Sequence, residues 1–525
     1  MAFPDLLQLL SPEWTLPALP VLGYAETHYK FRLPWSPLHR RQPELIADLP
    51  HALAPGEPCP LFLVARHADL YPVRLRGLSC DVRRADAEGS SDGPVSSTAV
   101  ERDDLLDRPF HFLEFALDVP DEPGEYAVNV RIDWTARNGR SFSALNANWP
   151  AIGPFPLRVA RLGSPSPVPP EFKGGDIHVH TAYTSDPVEF GASPAVLQRA
   201  AKAMGMDWFA CADHSYDFSW SSADTREPCD PREKRRALLA EIDALPEGPL
   251  ALPGEEVSCG NVFGQNVHML VLGNEEHIEG LGDSGRRWFK NRPDLSVAEA
   301  VERAAGLPCF AAHPRARAGA AERLVFRRGV WHPEDLVEGI RGLQFWNGSQ
   351  GVDFVNGRAF WIRRLMQGQR LLPAGGTDAH GDLNRSTGVK TPLVSLWANR
   401  DHLFGAVRTW VPLPEKWGRK ELVDALNGDR AVVGDGPWIS LEREPSGAVR
   451  VSAASSADYG DVARIVVFAG LKGAIAEMAK SVDAPEGGFG LQAEMRVELP
   501  AQAMHVRAEL RTSRGRRAIS SALWL

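Results

Sequence analysis

The chain has 525 residues, of which 44% are hydrophobic and 24% are charged, and its formal net charge is −9. That length predicts several domains with sizeable cores, and the negative charge gives no electrostatic case for nucleic acid as a partner. The sequence contains no long apolar run, no recognisable signal peptide and no Cys-x-x-Cys spacing among its six cysteines, so we expect no membrane partner and a cytoplasmic location.

Residues 1–162 predict an N-terminal β-sandwich-like domain. Stretches such as "LFLVARH", "FHFLEFALDV" and "GEYAVNVRIDW" alternate or run apolar in short pieces, and "ARNGRSF" supplies an Asn-Gly turn. The segment "GSPSPVPP" follows, and its four prolines predict a stiff linker over residues 163–170.

Residues 171–437 predict a domain in which strands and helices alternate. Seven short apolar runs are separated by helical patterns, one of which, "SPAVLQRAAKAMG", has Ser193 as its N-cap and Pro194 at its first position. This rhythm predicts parallel β/α units, either in a barrel close to the eight-stranded type or in an open doubly wound sheet. Strand patterns such as "ARIVVFAG" then predict a C-terminal β domain over residues 438–525.

Polar side chains recur at the ends of the predicted β/α strands. His178 and His180 end the first strand on one face, because residues i and i+2 of a strand point the same way, and Asp186 follows six residues later. Later strands carry His214 in "ACADH", Glu255 and Glu256 in "PGEEVS", His268 in "HMLVLG", His313 in "FAAHP", and Asp378 and His380 in "GGTDAH". Each motif alone is typical of a core histidine or a loop, but their recurrence at one edge favours a single shared site.

The residue types indicate a metal site. Neutral imidazoles and carboxylates suit zinc, manganese or iron, and nine candidate ligands exceed the four that one tetrahedral zinc takes. We therefore expect two or three divalent ions as cofactors, with a shared carboxylate between some of them. Such a site can hold a bridging hydroxide and stabilise a leaving oxygen.

The order of these motifs resembles that of the polymerase and histidinol phosphatase (PHP) superfamily, over roughly Glu171 to Asp435. The resemblance implies a distorted (β/α)7 TIM-like barrel. Together with the strand patterns on either side, this predicts a multidomain α/β plus all-β chain with flanking β-sandwich-like domains. The resemblance also implies three metal sites. The ligands would be His178, His180, Glu256 and Asp378 for the first metal, Glu256, His268 and His313 for the second, and Asp186, His214 and His380 for the third. The sequence "GEEVS" matches the family pattern best with Glu256 as the ligand, which leaves Glu255 beside the ligands or exposed.

Four further residues are candidates for substrate binding or support. Arg315 and Arg385 follow the "AHP" and "TDAH" motifs and could each clamp a phosphate, although each is equally well explained as a surface arginine. Asn347, in "FWNG", could donate a hydrogen bond to the substrate or orient a ligand, and Asp213 could support the neighbouring His214.

These features predict a metal-dependent hydrolase of a small-molecule substrate, most specifically a phosphoesterase. Hydrolysis of a carboxylic ester, amide or carbamate bond is the alternative, since the same hydroxide attacks either electrophile. The flanking β domains and "GGTDAHGDLNR" resemble PHP-like metallohydrolases that include carbamate-cleaving enzymes. A non-catalytic metal-containing binding or scaffold protein is a further alternative, and the sequence leaves the oligomeric state open.

Overall fold

The structure is a computed structural model. It describes residues 42–85, 93–148, 156–184, 191–222, 227–284, 291–319, 323–324, 326–384, 388–390, 395–397, 400–482, 493–498, 500 and 502–525. Asp186 and Arg385 lie outside the described residues. Among the helices of the described residues, none combines the length and the apolar character needed to cross a membrane.

The N-terminal part of the described chain forms strands. They are β1 Glu44–Asp48, β2 Ala52–Leu53, β3 Cys59–Arg66, β4 Val73–Arg84, β5 Ser96–Leu106, β6 Phe110–Leu117, β7 Gly124–Ala136, β8 Ser141–Leu145 and β9 Leu157–Arg161. One sheet has the order β1-β3-β6, and the other has the order β2-β9-β7-β4-β5 with β8 beside β7. Residues of both sheets, such as Leu61 and Val128, share one buried core, because alternate side chains of each strand face inward.

The middle of the chain contains the five α-helices of the described residues. Its elements are β10 Phe172–His180, α1 Pro194–Ala203, β11 Trp208–His214, α2 Pro231–Asp243, β12 Leu250–Gly260, β13 Asn266–Leu272, α3 Val297–Arg303, β14 Cys309–Ala312, β15 Ile340–Asn347, α4 Val352–Leu365, β16 Leu372–Gly376, β17 Ala379–His380, β18 Gly388–Lys390, β19 Ser395–Trp397, β20 Arg408–Pro412, α5 Arg419–Leu426 and β21 Val432–Gly434. Short 3₁₀ turns lie at Ser215–Ser219, Pro333–Asp335 and Arg400–His402.

The C-terminal part returns to strands. They are β22 Trp438–Arg443, β23 Val449–Ala454, β24 Val462–Leu471, β25 Met478–Val482, β26 Ala493–Val497, β27 Ala503–Thr512, β28 Arg517–Ser520 and β29 Leu523–Trp524. Strands β22, β23 and β26 form their own sheet, and β18 pairs with β19. The other C-terminal strands join a large sheet whose order is β16-β15-β14-β13-β12-β11-β10-β20-β21-β28-β27-β24-β25.

This large sheet shows that the predicted fold class, multidomain α/β plus all-β with a distorted (β/α)7 TIM-like barrel flanked by β-sandwich-like domains, is wrong. Strand β13 follows β12 through a tight turn and is antiparallel to both β12 and β14, with no helix between β12 and β13. Strand β20 then pairs antiparallel with β10 and continues the sheet into C-terminal strands. The described chain is mostly β, in a mixed sheet. An apolar run looks the same in a parallel and an antiparallel buried strand, so the sequence pattern could not show the direction of β13.

Short-range sequence signals predict the start of the first helix correctly. The helix predicted from Ser193 is confirmed: α1 begins at Pro194, and the Ser193 side chain accepts a hydrogen bond from the backbone N–H of Val196. Its buried face, including Leu197 and Ala201, packs against the central sheet and faces Phe62 of β3. A capped helix of this kind needs only its own sequence to define where it starts.

Candidate metal centre

Strand β10 positions two imidazoles on one face. His178 and His180 are both fully buried, and their Nε2 atoms lie 3.2 Å apart. Ile177 and Val179 point to the other side and are fully buried in hydrophobic clusters. The alternation of the strand therefore separates the apolar anchors from the polar groups, as the sequence predicted.

A single carboxylate lies at the centre of the histidines. The two oxygens of Glu256, in the middle of β12, lie 2.5–3.4 Å from ring nitrogens of five imidazoles, which belong to His178, His180, His214, His268 and His313. Glu256 itself is 1% exposed. A buried carboxylate surrounded in this way is suited to bridge cations.

The antiparallel direction of β13 explains how His268 reaches this cluster. Parallel strands deliver their carboxyl ends to the site, whereas β13 delivers its beginning, with His268 paired in register with Ser258 of β12. His268 Nδ1 lies 2.5 Å from Glu256 Oε1. The antiparallel direction of β13, which contradicts the predicted barrel, therefore also brings His268 to the cluster.

Asp378 is a second carboxylate in the cluster. Its Oδ1 lies 3.0 Å from His180 Nε2 and 3.4 Å from His178 Nε2. The backbone N–H of Asp378 donates to the carbonyl of His178, and β17 pairs in parallel with β10, so that His380 lies beside His180 with ring centroids 3.9 Å apart.

Two of the candidate ligands adopt left-handed backbone conformations. Asp378 has φ of +55° and His313 has φ of +28°, in a region that non-glycine residues rarely occupy. Such conformations cost free energy and persist where the surroundings impose them, which occurs most often at functional sites. Both residues therefore owe their orientation to the cluster rather than to local preference.

A chain of hydrogen bonds fixes the protonated nitrogen of His178. Asn347 Nδ2 donates to Asp378 Oδ2 over 3.1 Å, so that Asn347 Oδ1 is free to accept from Gln344 Nε2 over 2.8 Å. Gln344 Oε1 then faces His178 Nδ1 at 3.0 Å and also accepts from the backbone N–H of His313. Because an amide oxygen can only accept, His178 carries its proton on Nδ1 and turns Nε2 toward the cluster.

Hydrogen-bond acceptors on the far side of the ring also orient two other imidazoles. Asp283 Oδ2 lies 3.0 Å from His268 Nε2, which leaves Nδ1 for Glu256. The backbone carbonyl of Asp378 lies 3.0 Å from His380 Nδ1. Acceptors behind each ring are the usual arrangement for histidines that hold a metal, because they fix the tautomer and the ring orientation.

Sequence reasoning missed Gln344 and Asp283. Gln344 is a fully buried polar residue within the apolar strand "GLQFWN", and that contrast was a signal that could have found it. Asp283 is also buried, and besides His268 it contacts Ser258 Oγ and Arg328 Nε at 2.5 Å each. It lies in a loop, "GLGDSG", where no periodic pattern marked it.

The cluster is strongly coupled electrostatically. Burial favours the neutral acid, yet His268 and His178 hold the pKa of Glu256 well below its usual range, and His178 does the same for Asp378. Burial also disfavours charge on the rings, but Glu256 and Asp378 raise the pKa of His178 to about 9, whereas burial and neighbouring imidazoles lower the pKa of His180. The site therefore requires positive charge between its carboxylates, as a proton or as a cation.

The donor set fits divalent metal ions. Three sets of ligand atoms each lie within 4.8 Å of one another: His178, His180, Glu256 and Asp378; His214, Glu256 and His268; and His180, His214 and His380. The first set contains the four residues that the family resemblance implied for the first metal. Imidazole nitrogens with carboxylate oxygens are the ligands that zinc, manganese and iron share.

The other predicted ligands are placed as follows. His313 lies with Nε2 3.1 Å from Glu256 Oε1, next to His268, and His214 lies with Nδ1 2.8 Å from Glu256 Oε2. Glu255 is fully buried and faces away from this cluster, where it accepts hydrogen bonds from Asn274 Nδ2 and the backbone N–H of Ile278.

Asp213 supports the loop that follows β10. Its Oδ1 accepts from the backbone N–H groups of Thr181 and Thr184, and its Oδ2 accepts from the Thr181 hydroxyl. Thr184 Oγ1 in turn lies 3.0 Å from His180 Nδ1. Asp213 therefore acts on His180 through Thr184, rather than directly on the neighbouring His214.

Arg315 does not face the cluster. Its Nη1 donates to the backbone carbonyl of Trp331 over 3.0 Å, and its guanidinium lies over the ring of Phe360, 5.1 Å from the centroid. The turn at His313 directs the Arg315 side chain toward Trp331 and Phe360. Arg315 is therefore close to His313 in sequence but does not line the site.

A pocket of about 270 Å³ opens onto the ligands. Its wall includes Asn347, Asp378 and His380 as well as Arg317 and Arg328. The exposed Arg317 makes no ion pair within the described residues, whereas Arg328 contacts Asp283. The pocket therefore joins a cluster of potential metal ligands to positive side chains.

Comparisons with known proteins add little. No family model matches the chain, and no curated protein matches it. One solved structure, of a glycosyl hydrolase family 2 (GH2) member from Bacteroides cellulosilyticus DSM 14838, covers 91% of this chain and 78% of its own, at 10% identity and a TM-score of 0.18. A likeness this weak supports no conclusion about fold or function.

Proposed function

We propose that this protein is a metal-dependent hydrolase, and specifically a phosphoesterase. The observation that carries the proposal is the convergence of five imidazoles on the buried carboxylate of Glu256, at 2.5–3.4 Å. A purely structural core has no need for so many ionisable groups at one point, because burying them costs free energy unless a cation compensates. The similarity of the motif order to that of the PHP superfamily supports the same proposal.

Two or three divalent ions would be held by the described ligands, with Glu256 shared between sets. When bound, such ions would lower the pKa of water and stabilise negative charge on the substrate. The residues of the chain hold the ligands in place: Gln344 orients His178, Asp283 orients His268, and Asn347 holds the carboxylate of Asp378.

The guanidiniums beside the pocket favour an anionic substrate. Arg317 has donors that no described carboxylate occupies, and it lines the same pocket as Asp378 and His313. A planar guanidinium can bind two oxygens of a phosphate at once, which also orients the ester bond toward the ligands. We therefore assign to Arg317 the phosphate-binding role that the sequence suggested for Arg315.

The test is hydrolysis of 4-nitrophenyl phosphate and 4-nitrophenyl acetate, together with metal analysis of the purified protein. We expect phosphate ester hydrolysis and at least one equivalent of metal, both lost in His178→Ala with Asp378→Ala. A matched variant, His332→Ala with Asp429→Ala, removes the same residue types elsewhere and should retain both. Activity on the acetate alone would assign the bond to a carboxylic ester, and a metal-free protein after reconstitution would contradict the proposal.

A further inference from the structure

A second and larger cavity lies away from the candidate metal centre. It has a volume of about 1030 Å³ and is formed by the edge of the N-terminal sheet, the segment over residues 163–166, the segment around Arg400 and Arg408, and the C-terminal turns. None of the candidate metal ligands that the structure describes lines it. This volume is at the upper end of the range for small-molecule sites, and an inorganic ion would fill a small part of it.

The wall of this cavity is positive, although the chain as a whole is negative. Among the described residues, six arginines line it against three acidic residues, while the full chain has a net charge of −9. One of the acids, Asp458, is already engaged, because its two oxygens accept from the backbone N–H groups of Gly163 and Ser164. The excess of positive charge is therefore local.

Arg408 and Arg400 have no carboxylate partner among the described residues. The nitrogens of Arg408 donate to the backbone carbonyls of Met204, Gly205 and Gly405. Arg400 Nη2 donates to Asn384 Oδ1 over 2.8 Å and to a backbone carbonyl over 3.4 Å. A guanidinium has five N–H groups, so both side chains keep donors for a ligand while protein dipoles hold them in place.

Neighbouring groups add to this positive surface. The exposed guanidinium of Arg158 makes no hydrogen bond or ion pair within the described part of the chain, and Arg516 lies no closer than 3.7 Å to Asp435. Burial and then the charges of Arg400 and Arg408 lower the pKa of His51, on the same wall, to about 3. Burial and these neighbouring charges together keep that imidazole neutral.

An aromatic ring completes the wall. Tyr459 is half-buried and packs over the backbone of Gly436, where its ring occupies the space that a Cβ would need. A phenol beside guanidiniums can contact a planar or sugar-like group while the guanidiniums bind its charges. The wall thus combines a flat apolar surface with several fixed positive donors.

We propose that this cavity binds an organic molecule of nucleotide size that carries two or more phosphate groups. Arg158, Arg400 and Arg408 bind the phosphates, and Tyr459 contacts the organic part. The cavity volume favours such a ligand over inorganic phosphate. Among the described residues, these three guanidiniums have no carboxylate partner, so the site differs from an internal ion-pair network. The inference does not depend on the proposed hydrolase function.

The test is isothermal titration calorimetry of the full chain with ADP, with adenosine and inorganic phosphate as smaller probes. We expect ADP to bind more tightly than either probe, and Arg158→Gln with Arg400→Gln to weaken ADP binding at least about tenfold. The control Arg83→Gln with Arg131→Gln removes two exposed charges from the N-terminal sheet and should bind ADP as the wild type does.

The metal-centre variant His178→Ala with Asp378→Ala distinguishes the two sites, because phosphates also bind metal ions. ADP binding that persists in this variant and is lost in the Arg158 and Arg400 variant supports the proposal. Loss in the metal-centre variant alone, equal loss in the Arg83 and Arg131 control, or no ADP binding by the wild type at millimolar concentration would overturn it.

Discussion

The carboxylate of Glu256 lies 2.5 Å from Nδ1 of His268, although the two residues belong to strands that run in opposite directions. Glu256 lies in the middle of β12 and His268 lies near the beginning of the neighbouring β13, two register positions away, so an antiparallel pair contributes to the same cluster as the parallel strands. His268 is held from behind by Asp283, whose Oδ2 lies 3.0 Å from Nε2.

Replacing Glu256 by glutamine should reduce bound metal by at least one equivalent and bring hydrolysis to the level of buffer. An amide supplies one weak acceptor oxygen where the carboxylate supplies two charged ones, and five imidazoles depend on it. The measurement is metal analysis with steady-state kinetics. Glu255→Gln is the matched control, because Glu255 is equally buried but faces Asn274, and it should retain its metal.

Replacing Asn347 by alanine should weaken metal binding about 10–100-fold. Asn347 donates to Asp378 and accepts from Gln344, so its loss frees the ligand carboxylate and the amide that orients His178. Metal affinity measured by competition with a chelating dye checks this. The melting temperature of the metal-free variant should change little, and a large drop there with unchanged metal affinity would show that Asn347 is only structural.

Replacing Asp213 by alanine should lower the free energy of unfolding by about 1–3 kcal/mol. The substitution leaves the donors of Thr181 and Thr184 without their buried acceptor. Urea denaturation of the metal-free protein measures the change. Asp213→Asn, which keeps one oxygen, should lose less stability than Asp213→Ala, and equal losses would argue against the hydrogen bonds as the cause.

Replacing Arg317 by glutamine should raise KM for a phosphate monoester about tenfold or more and leave the folded structure intact. Arg317 lines the pocket, whereas Arg315 donates to Trp331 and packs on Phe360. Arg315→Gln should therefore lower the melting temperature and leave KM near the wild-type value. Kinetics and thermal unfolding on both variants give the comparison, and the reverse pattern would return the phosphate-binding role to Arg315.

The metal-free protein should lose stability as the pH rises through the range from about 6.5 to about 9. The folded-state pKa of His178 is raised from 6.5 to about 9, so its contribution is complete below 6.5 and is lost as the pH rises through 9. Metal must displace the second proton of His178, the one on Nε2, so metal affinity should rise up to about tenfold per pH unit over the same range. Thermal unfolding after chelation and metal titration at several pH values measure both slopes, and His178→Asn should flatten them.

Several features of the site could be predicted from the sequence because they are local. The spacing of His178 and His180 fixes a shared face on any strand, and Ser193 with Pro194 fixes the start of α1. The residue types around Glu256 also indicated metal chemistry without any coordinates. The shared face of the two histidines follows from strand alternation and the helix start follows from capping, and both effects act within a few residues.

Other features depended on contacts between distant parts of the chain. Hydrophobic pattern does not encode strand direction, so only the tertiary structure showed that β13 is antiparallel and that the sheet continues into the C-terminal strands. The path of the backbone after His313 decided that Arg315 packs on Phe360 rather than facing the cluster. Sequence alone determined which chemical groups are available at strand ends, and the tertiary structure decided which of them meet, because side-chain orientation after a turn depends on long-range packing.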